Sequence, residues 1–316
     1  MKSKGRIITI GLAPAWDVSC RGRDLDWGRH LEIDEQVVRP AGKALNVSSA
    51  LAWMGCESIA SGLWGREDYE VMRTAVSSMS KLIRLDMTGV EGRTRQNITV
   101  VDTKGRREMH LRQQSGLATS ASLSQLNANL NRTVCPDDTC VFAGAMPAGE
   151  LLDPVVSLVQ NCRRQGAQIV IDTYGQVLKR LVEAELPWLI APNVEELAQL
   201  LGPQVKDSPA ELVAASKPLR EKVPTLLISR GSKGAILVTS KGVWTGRSTT
   251  QGKVLETIGC GDYLLAGFLA AFRKSNNPRT ALATALKVAT ARAWGLTEAK
   301  TWLAAARTVE VEIDRL

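Results

Sequence analysis

Asp262 closes a short run, G-C-G-D, that could hold an anion with a base beside it. Gly259 and Gly261 bracket Cys260, so the backbone can turn sharply there and come close to a ligand. The apolar run Tyr263–Phe272 follows, long enough for about three turns of helix. A glycine-rich turn that opens a helix presents free N–H groups, and the helix dipole favours negative charge at that end. An acid placed there can take a proton from a hydroxyl attacking the held anion. The plainer reading is an aspartate near the start of a buried helix, favoured by the same dipole.

Four further stretches carry polar groups at suggestive spacings. In R-P-A-G-K-A-L-N-V, Gly42 and Lys43 open a helix and Asn46 projects from its first turn. That suits a polar or anionic ligand, or a simple loop-to-helix join. In S-R-G-S-K-G-A, Gly231 and Gly234 lie between two apolar runs, which permits either close approach of a ligand or a hairpin turn. In P-N-V-E-E-L, Asn193 and Glu196 are one helical turn apart and offer oxygens of the kind magnesium prefers. The same pair reads as a capping box, and the two roles are compatible. Asp17 follows the first apolar run and could hydrogen-bond sugar hydroxyls or simply face solvent.

The elements that must position these residues alternate. Ile7–Leu12, Ser58–Leu63, Gln168–Asp172, Trp188–Ile190, Thr225–Ser229 and Ala235–Thr239 read as strands. Ala44–Met54, Glu67–Ser80, Leu151–Gln165, a stretch from about Gln176, Asn193–Leu201, Tyr263–Lys274 and Pro278–Trp294 read as helices, with a further piece after Thr297. This predicts an α/β fold with a mainly parallel central sheet sandwiched by helices. Two segments break the rhythm, residues 17–38 and 94–113. The first holds strand-like pieces such as His30–Ile33. The second, with Asn97–Val101 and Arg107–Leu111 around Lys104-Gly105, looks like a hairpin. Together they predict a small β-sheet lid inserted in one domain spanning 1–316, over a site at the C-terminal ends of the parallel strands.

Composition narrows the classes. A chain of 316 residues, 44% hydrophobic, can bury a large core. No run approaches the roughly 18 apolar residues of a membrane span. Six cysteines include no C-x-x-C pair, and the only histidines are His30 and His110, which argues against zinc, a disulfide framework and histidine-based nucleophilic catalysis. A reducing cytoplasm fits. The net charge of +8 is scattered, with three Tyr and three Phe, so no stacking surface for nucleic acid emerges and an anionic small substrate accounts for the charge.

Taken in order, these blocks resemble the ribokinase-like, or PfkB-type, carbohydrate kinases over nearly the whole chain. The resemblance rests on Asp17, G-K-x-x-N, T-R-Q-N at 94–97, G-A-M-P-A-G, I-D-T-Y-G-Q-V-L at 171–178, P-N-V-E-E-L, S-R-G-S-K-G-A and T-I-G-C-G-D. It is nearest to the branch of 1-phosphofructokinases, 6-phosphofructokinases and tagatose-6-phosphate kinases. The resemblance implies Asp262 as general base, with Gly259, Cys260 and Gly261 as the anion hole. It implies sugar contacts from Asp17, Gly42 and Asn46, with Lys43 and Arg95 meeting a sugar phosphate. Ser229, Arg230, Gly231 and Gly234 fall in its nucleotide loop, and Asn193 and Glu196 in its magnesium motif. ATP and Mg2+ are the implied cofactors, and a homodimer through the lid the implied assembly. The sequence departs from the pattern at Ala41, Ala44, Ala145 and Ala191, in the sugar pocket and at one phosphate contact.

The function expected is phosphoryl transfer from ATP to a hydroxyl of a fructose- or tagatose-phosphate. Two other readings keep the fold: a kinase of a free sugar or nucleoside, and a catalytically weak ligand-binding or regulatory homologue.

Overall fold

The computed structural model describes residues 5–105 and 107–316. β1 (Ile7–Gly11) is buried at every position, as befits the middle of a sheet covered on both faces. The chain then leaves the main body as β2 (Ala15–Gly22) and returns through β3 (Glu35–Ala41) to α1 (Lys43–Trp53), β4 (Ser58–Gly65), α2 (Tyr69–Met79) and β5 (Ile83–Val90). A second excursion makes β6 (Gln96–Asp102) and β7 (Arg107–Arg112). The body resumes with α3 (Ser120–Thr133), β8 (Thr139–Ala143), α4 (Leu152–Arg164), β9 (Gln168–Asp172) and α5 (Gly175–Glu183). Next come β10 (Leu189–Ile190), α6 (Val194–Leu201), α7 (Pro209–Ala215), β11 (Thr225–Ser229), β12 (Ala235–Thr239) and β13 (Gly242–Ser248). α8 (Cys260–Ser275), α9 (Pro278–Ala293), α10 (Leu296–Ala299), α11 (Trp302–Thr308) and β14 (Val311–Arg315) complete the chain.

The large sheet has the order β14-β13-β12-β11-β10-β9-β8-β1-β4-β5. It is parallel from β5 to β11 and antiparallel from β11 to β14. Side chains that alternate along the central strands feed cores on the two faces of the sheet. Ile8, Ile10, Phe142 and Ile171 pack with α3, α4 and α5 on one face; Ile7, Val141, Val170 and Leu227 pack with α1, α8 and α9 on the other. Where α1 crosses the sheet, Thr9, Ser48 and Ser58 satisfy one another through buried hydroxyl contacts of 2.8 and 3.0 Å. Among the described residues no helix is long and apolar enough to cross a membrane.

The second sheet is the lid, in the order β3-β2-β6-β7. Its register puts Asp17 opposite Arg39 and Asn97, and Ser19 opposite Thr99, so these side chains share one face. The other face carries Val18, Val38, Ile98 and Leu111, with Val38 and Leu111 about half exposed. The hairpin expected around Lys104-Gly105 is present.

The structure corrects several expectations. His30–Ile33 is not a strand; it lies in the irregular connection between β2 and β3, which are the strands of that segment. β5, β8, β13, β14, α3 and α7 were not expected from the sequence. Their apolar runs are short or interrupted by polar residues, and periodicity alone does not separate such runs from loops. Ser229–Ala235 links two antiparallel neighbours, the hairpin connection that was one of the two readings of this stretch.

Candidate active site

Gly259 sits in the left-handed region at φ 80° and caps α8 without any side-chain hydrogen bond, a conformation in which a Cβ is disfavoured. The turn therefore delivers a helix start whose N–H groups are not taken by a capping side chain. Asp262 follows in the first turn, 3% exposed. Its Oδ2 accepts a 2.7 Å hydrogen bond from Nδ2 of Asn46 on α1. Burial pushes the carboxyl up to about 7 and the Asp172 charge adds to the effect, while Lys43, Asn46 and Arg292 pull the other way. A buried carboxyl with a value close to neutral pH is tuned for proton abstraction. The Cys260 thiol is likewise raised by burial, to about 11, so it is a neutral group in this turn.

Lys43 begins α1 immediately after Gly42, the N-cap. Its amine donates to Oδ1 of Asp172 at 2.8 Å and lies 4.0 Å from Oε1 of Glu196. Burial alone would lower the amine; Asp172, Asp262 and Glu196 outweigh it and hold Lys43 protonated. Burial raises the Glu196 carboxyl, and the Lys43 charge opposes the rise. Asn193 and Glu196 form the reciprocal capping box of α6, with hydrogen bonds of 2.8 and 2.9 Å. The box uses Oε2 of Glu196, and Oε1 faces Lys43. The cap and the approach to the charged cluster thus coexist in one side chain.

A cavity of about 270 Å³ separates the polar face of the lid from α1 and α8. Asp17, Arg39, Asn46, Gly259, Tyr263 and Arg292 are among the residues lining it. Asp17 Oδ1 accepts from Nδ2 of Asn97 at 3.0 Å, which fixes the carboxylate on the lid. Arg95 is placed differently from the simple expectation of a free phosphate ligand. Its guanidinium donates to the carbonyls of Ala13, Pro14 and Gln113 at 2.9–3.2 Å, strapping the β1–β2 connection to the lid.

The Ser229–Gly234 loop lies beside the α6 cap, because the Ser229 N–H donates to the carbonyl of Pro192 at 3.0 Å. Gly234, at φ 91°, backs directly onto β13: a Cβ there would stand 1.9 Å from the carbonyl oxygen of Gly246. Its glycine is required by packing, whereas Gly231 faces open space. The Arg230 side chain is 8% exposed and donates to Asp207 at 2.7 Å, so its charge is engaged within the protein.

The expected groups thus gather at the C-terminal ends of β1, β9, β10 and β11, the place where open α/β sheets bind ligands. Residues not singled out from sequence are Asp172, Asp207 and Arg292. Asp172 carried a readable signal, an acid ending the apolar run 169–171. Arg292 carried none, because nothing local distinguishes it from other helix-surface arginines.

Three comparisons bear on this arrangement. The pfkB family carbohydrate kinase profile matches residues 6–293. The 1-phosphofructokinase of Haemophilus influenzae is 26% identical over 287 residues, 89% of each chain, and that of Borreliella burgdorferi is 30% identical over 236 residues, 73% of each. The solved phosphofructokinase-2 of Escherichia coli in complex with fructose-6-phosphate superposes with a TM-score of 0.84 at 20% identity, covering 92% of this chain and 94% of the other.

Proposed function

This chain belongs to the pfkB family of carbohydrate kinases, and from that membership and the site we propose that it transfers the terminal phosphoryl group of ATP to a hydroxyl of a phosphorylated ketose of the fructose- or tagatose-phosphate type. The chain is a phosphosugar kinase by its relatives; the ketose and the roles of individual residues are our reading. The observation that carries it is the Asn46–Asp262 pair at the mouth of an uncapped helix. It places a carboxylate of raised pKa next to the helix start that would hold the transferred group.

In this reading Asp262 takes the proton of the acceptor hydroxyl as the hydroxyl attacks the phosphorus. Asn46 fixes the carboxylate so that Oδ1 is the free oxygen. The N–H groups of the Gly259–Gly261 turn meet the charge that develops on the phosphoryl oxygens. Lys43 adds a fixed positive charge beside them. Asp17 and Asn46 orient the sugar, with Gly42 letting α1 begin close to it. The lid closes the cavity from water. The ATP phosphates would approach along Ser229, Gly231 and Gly234, with the Arg230–Asp207 pair holding that loop's shape.

The donor set fits magnesium. Asn193 and Glu196 carry hard oxygens at the α6 cap, and Asp172 approaches Glu196 across Lys43. Among the described residues no three acidic or ligating side chains close around a point, so the ion would be held through water and through the nucleotide. Bound there, magnesium supplies charge neutralisation for the phosphates. The apolar outer face of the lid, with Val38 and Leu111 about half exposed, would be covered by the same face of a second copy, giving a homodimer. A monomer at micromolar concentration by light scattering would refute the dimer.

The test is ADP release from ATP with magnesium, against a panel of ketose phosphates, free sugars and nucleosides. Turnover of a fructose- or tagatose-phosphate supports the reading; turnover of free sugars or nucleosides alone overturns it. Arg95→Ala separates the two acceptor classes. A contact to the substrate's phosphate would raise KM for a sugar phosphate with little change for ATP, while a strap alone would lower stability and leave both KM values in place.

A further inference from the structure

Arg292 stands in the last turn of α9, far in sequence from the glycine-rich turn, yet its side chain reaches that turn. Its Nε donates to the carbonyl of Ile258 at 3.4 Å, one residue before Gly259. Its terminal nitrogens lie 3.4 Å from Oε2 of Glu256 and 3.7 Å from Oε1 of Glu298. The guanidinium carbon sits 5.5 Å from the ring centre of Tyr263, the residue after Asp262. Glu256 completes the loop by accepting from the Ile258 N–H at 3.0 Å through its other oxygen. The main chain is held to the same helix end, where the N–H groups of Leu255 and Glu256 donate to the carbonyl of Ala293 at 2.8 and 3.1 Å.

Residues 251–257 have no regular secondary structure of their own. The turn is carried on one side by α8, which it caps, and is fastened on the other to the C-terminal end of α9. A surface ion pair would contribute little, but the Arg292 side chain is only 13% exposed. It also lines the cavity beside Gly259 and Tyr263, and a Cβ on Gly259 would come within 3.9 Å of its Nε. A cation that merely stabilised the loop could face away from the cavity. This one is placed where a negative charge held by the turn would feel it, in surroundings of lowered dielectric.

We propose that Arg292 is the positioning residue of the anion-holding turn: it fixes Glu256–Gly259 against α9 and supplies the internal positive charge that supports the group held there. The inference rests on the phosphoryl-transfer reading above. Removing Arg292 takes away its hydrogen bond to Ile258 and leaves Glu256 without its arginine partner, next to a site that must receive an anion. Both effects fall first on the turn that would hold the transferred group, and so on the chemical step.

The experiment compares the full-length protein with Arg292→Ala and Arg292→Lys for kcat and KM with ATP and the ketose phosphate that the wild type uses. Thermal unfolding shows that each variant is folded; if the alanine variant is not, the lysine variant carries the comparison. Expected for Arg292→Ala is a loss in kcat of about 10²-fold, the size of a small misplacement of reacting groups, with both KM values changed little. Lysine retains part of the rate, and added guanidinium chloride restores part of the alanine variant's rate, relative to sodium chloride at equal concentration. A kcat near that of the wild type, or a loss carried entirely by KM, overturns the proposal. So does a loss that guanidinium leaves untouched while the turn stays ordered by hydrogen exchange. Should the wild type turn over no ketose phosphate, the functional reading fails, and exchange still decides the positioning claim. Faster exchange at residues 255–261 in Arg292→Ala supports it, and the wild-type rate refutes it.

Discussion

Replacing Asp262 by asparagine should cost most of the activity and at the same time strengthen the fold at alkaline pH. The side chain keeps its shape, and its amide oxygen can still accept from Asn46. What is lost is the base, and a positioned base contributes about 10²–10⁴-fold in rate. The stability change follows from burial. Asp262 has an ordinary value of 3.8 and is held at about 7 in the folded chain, so the folded state takes up a proton between these values. Its contribution to stability is complete below the lower value and is lost as pH rises through the upper one. At about 1.4 kcal/mol per pH unit the full effect is at most about 4 kcal/mol, of which about 3 falls between pH 5 and pH 8. Asparagine does not titrate, so the mutant escapes this loss. Urea denaturation of both proteins at pH 5 and pH 8 measures the gap, and ADP release with the preferred acceptor measures the rate. A mutant with near-normal turnover refutes the base. An equal stability difference at the two pH values refutes the claim that burial sets the carboxyl's character.

Three further outcomes follow from the same geometry. With Asp262 as base, kcat should fall on the acid side of about pH 7, where the carboxyl takes its proton; a rate flat from pH 5 to pH 8 would contradict this. Lys43→Met removes a charge that lowers Asp262, so the acid limb of the pH–rate profile should move to higher pH, with kcat reduced roughly 10²-fold; an unmoved limb would show that Lys43 does not act on the base. Gly234→Ala should destabilise by about 3 kcal/mol or more, since its Cβ meets the Gly246 carbonyl. Gly231→Ala, in open space at φ 57°, should cost only about 1–2 kcal/mol, and denaturation curves that reverse this order would refute the packing argument.

The sequence alone determined the local devices and their order. G-C-G-D before an apolar run reads as a helix-opening turn with an acid in its first turn, because backbone freedom and helix geometry are local properties. Asn193 and Glu196 read as a capping box for the same reason, and the box is present. Strand–helix alternation was enough to predict a covered, mainly parallel sheet, and the two interruptions were enough to predict the lid. Tertiary structure decided which charges meet. Lys43, Asp172 and Glu196 come from three separate stretches, and only the convergence of α1, β9 and α6 makes them one cluster. Arg230 gains a partner in the fold, Asp207, that no nearby stretch of sequence shows. Arg292 reaches the glycine-rich turn only because α9 packs back along α8. The antiparallel end of the sheet was also decided at this level, because β14 finds β13 across the four intervening helices α8–α11. Electrostatic character follows from burial and distance, and both are properties of the folded chain rather than of any stretch of it.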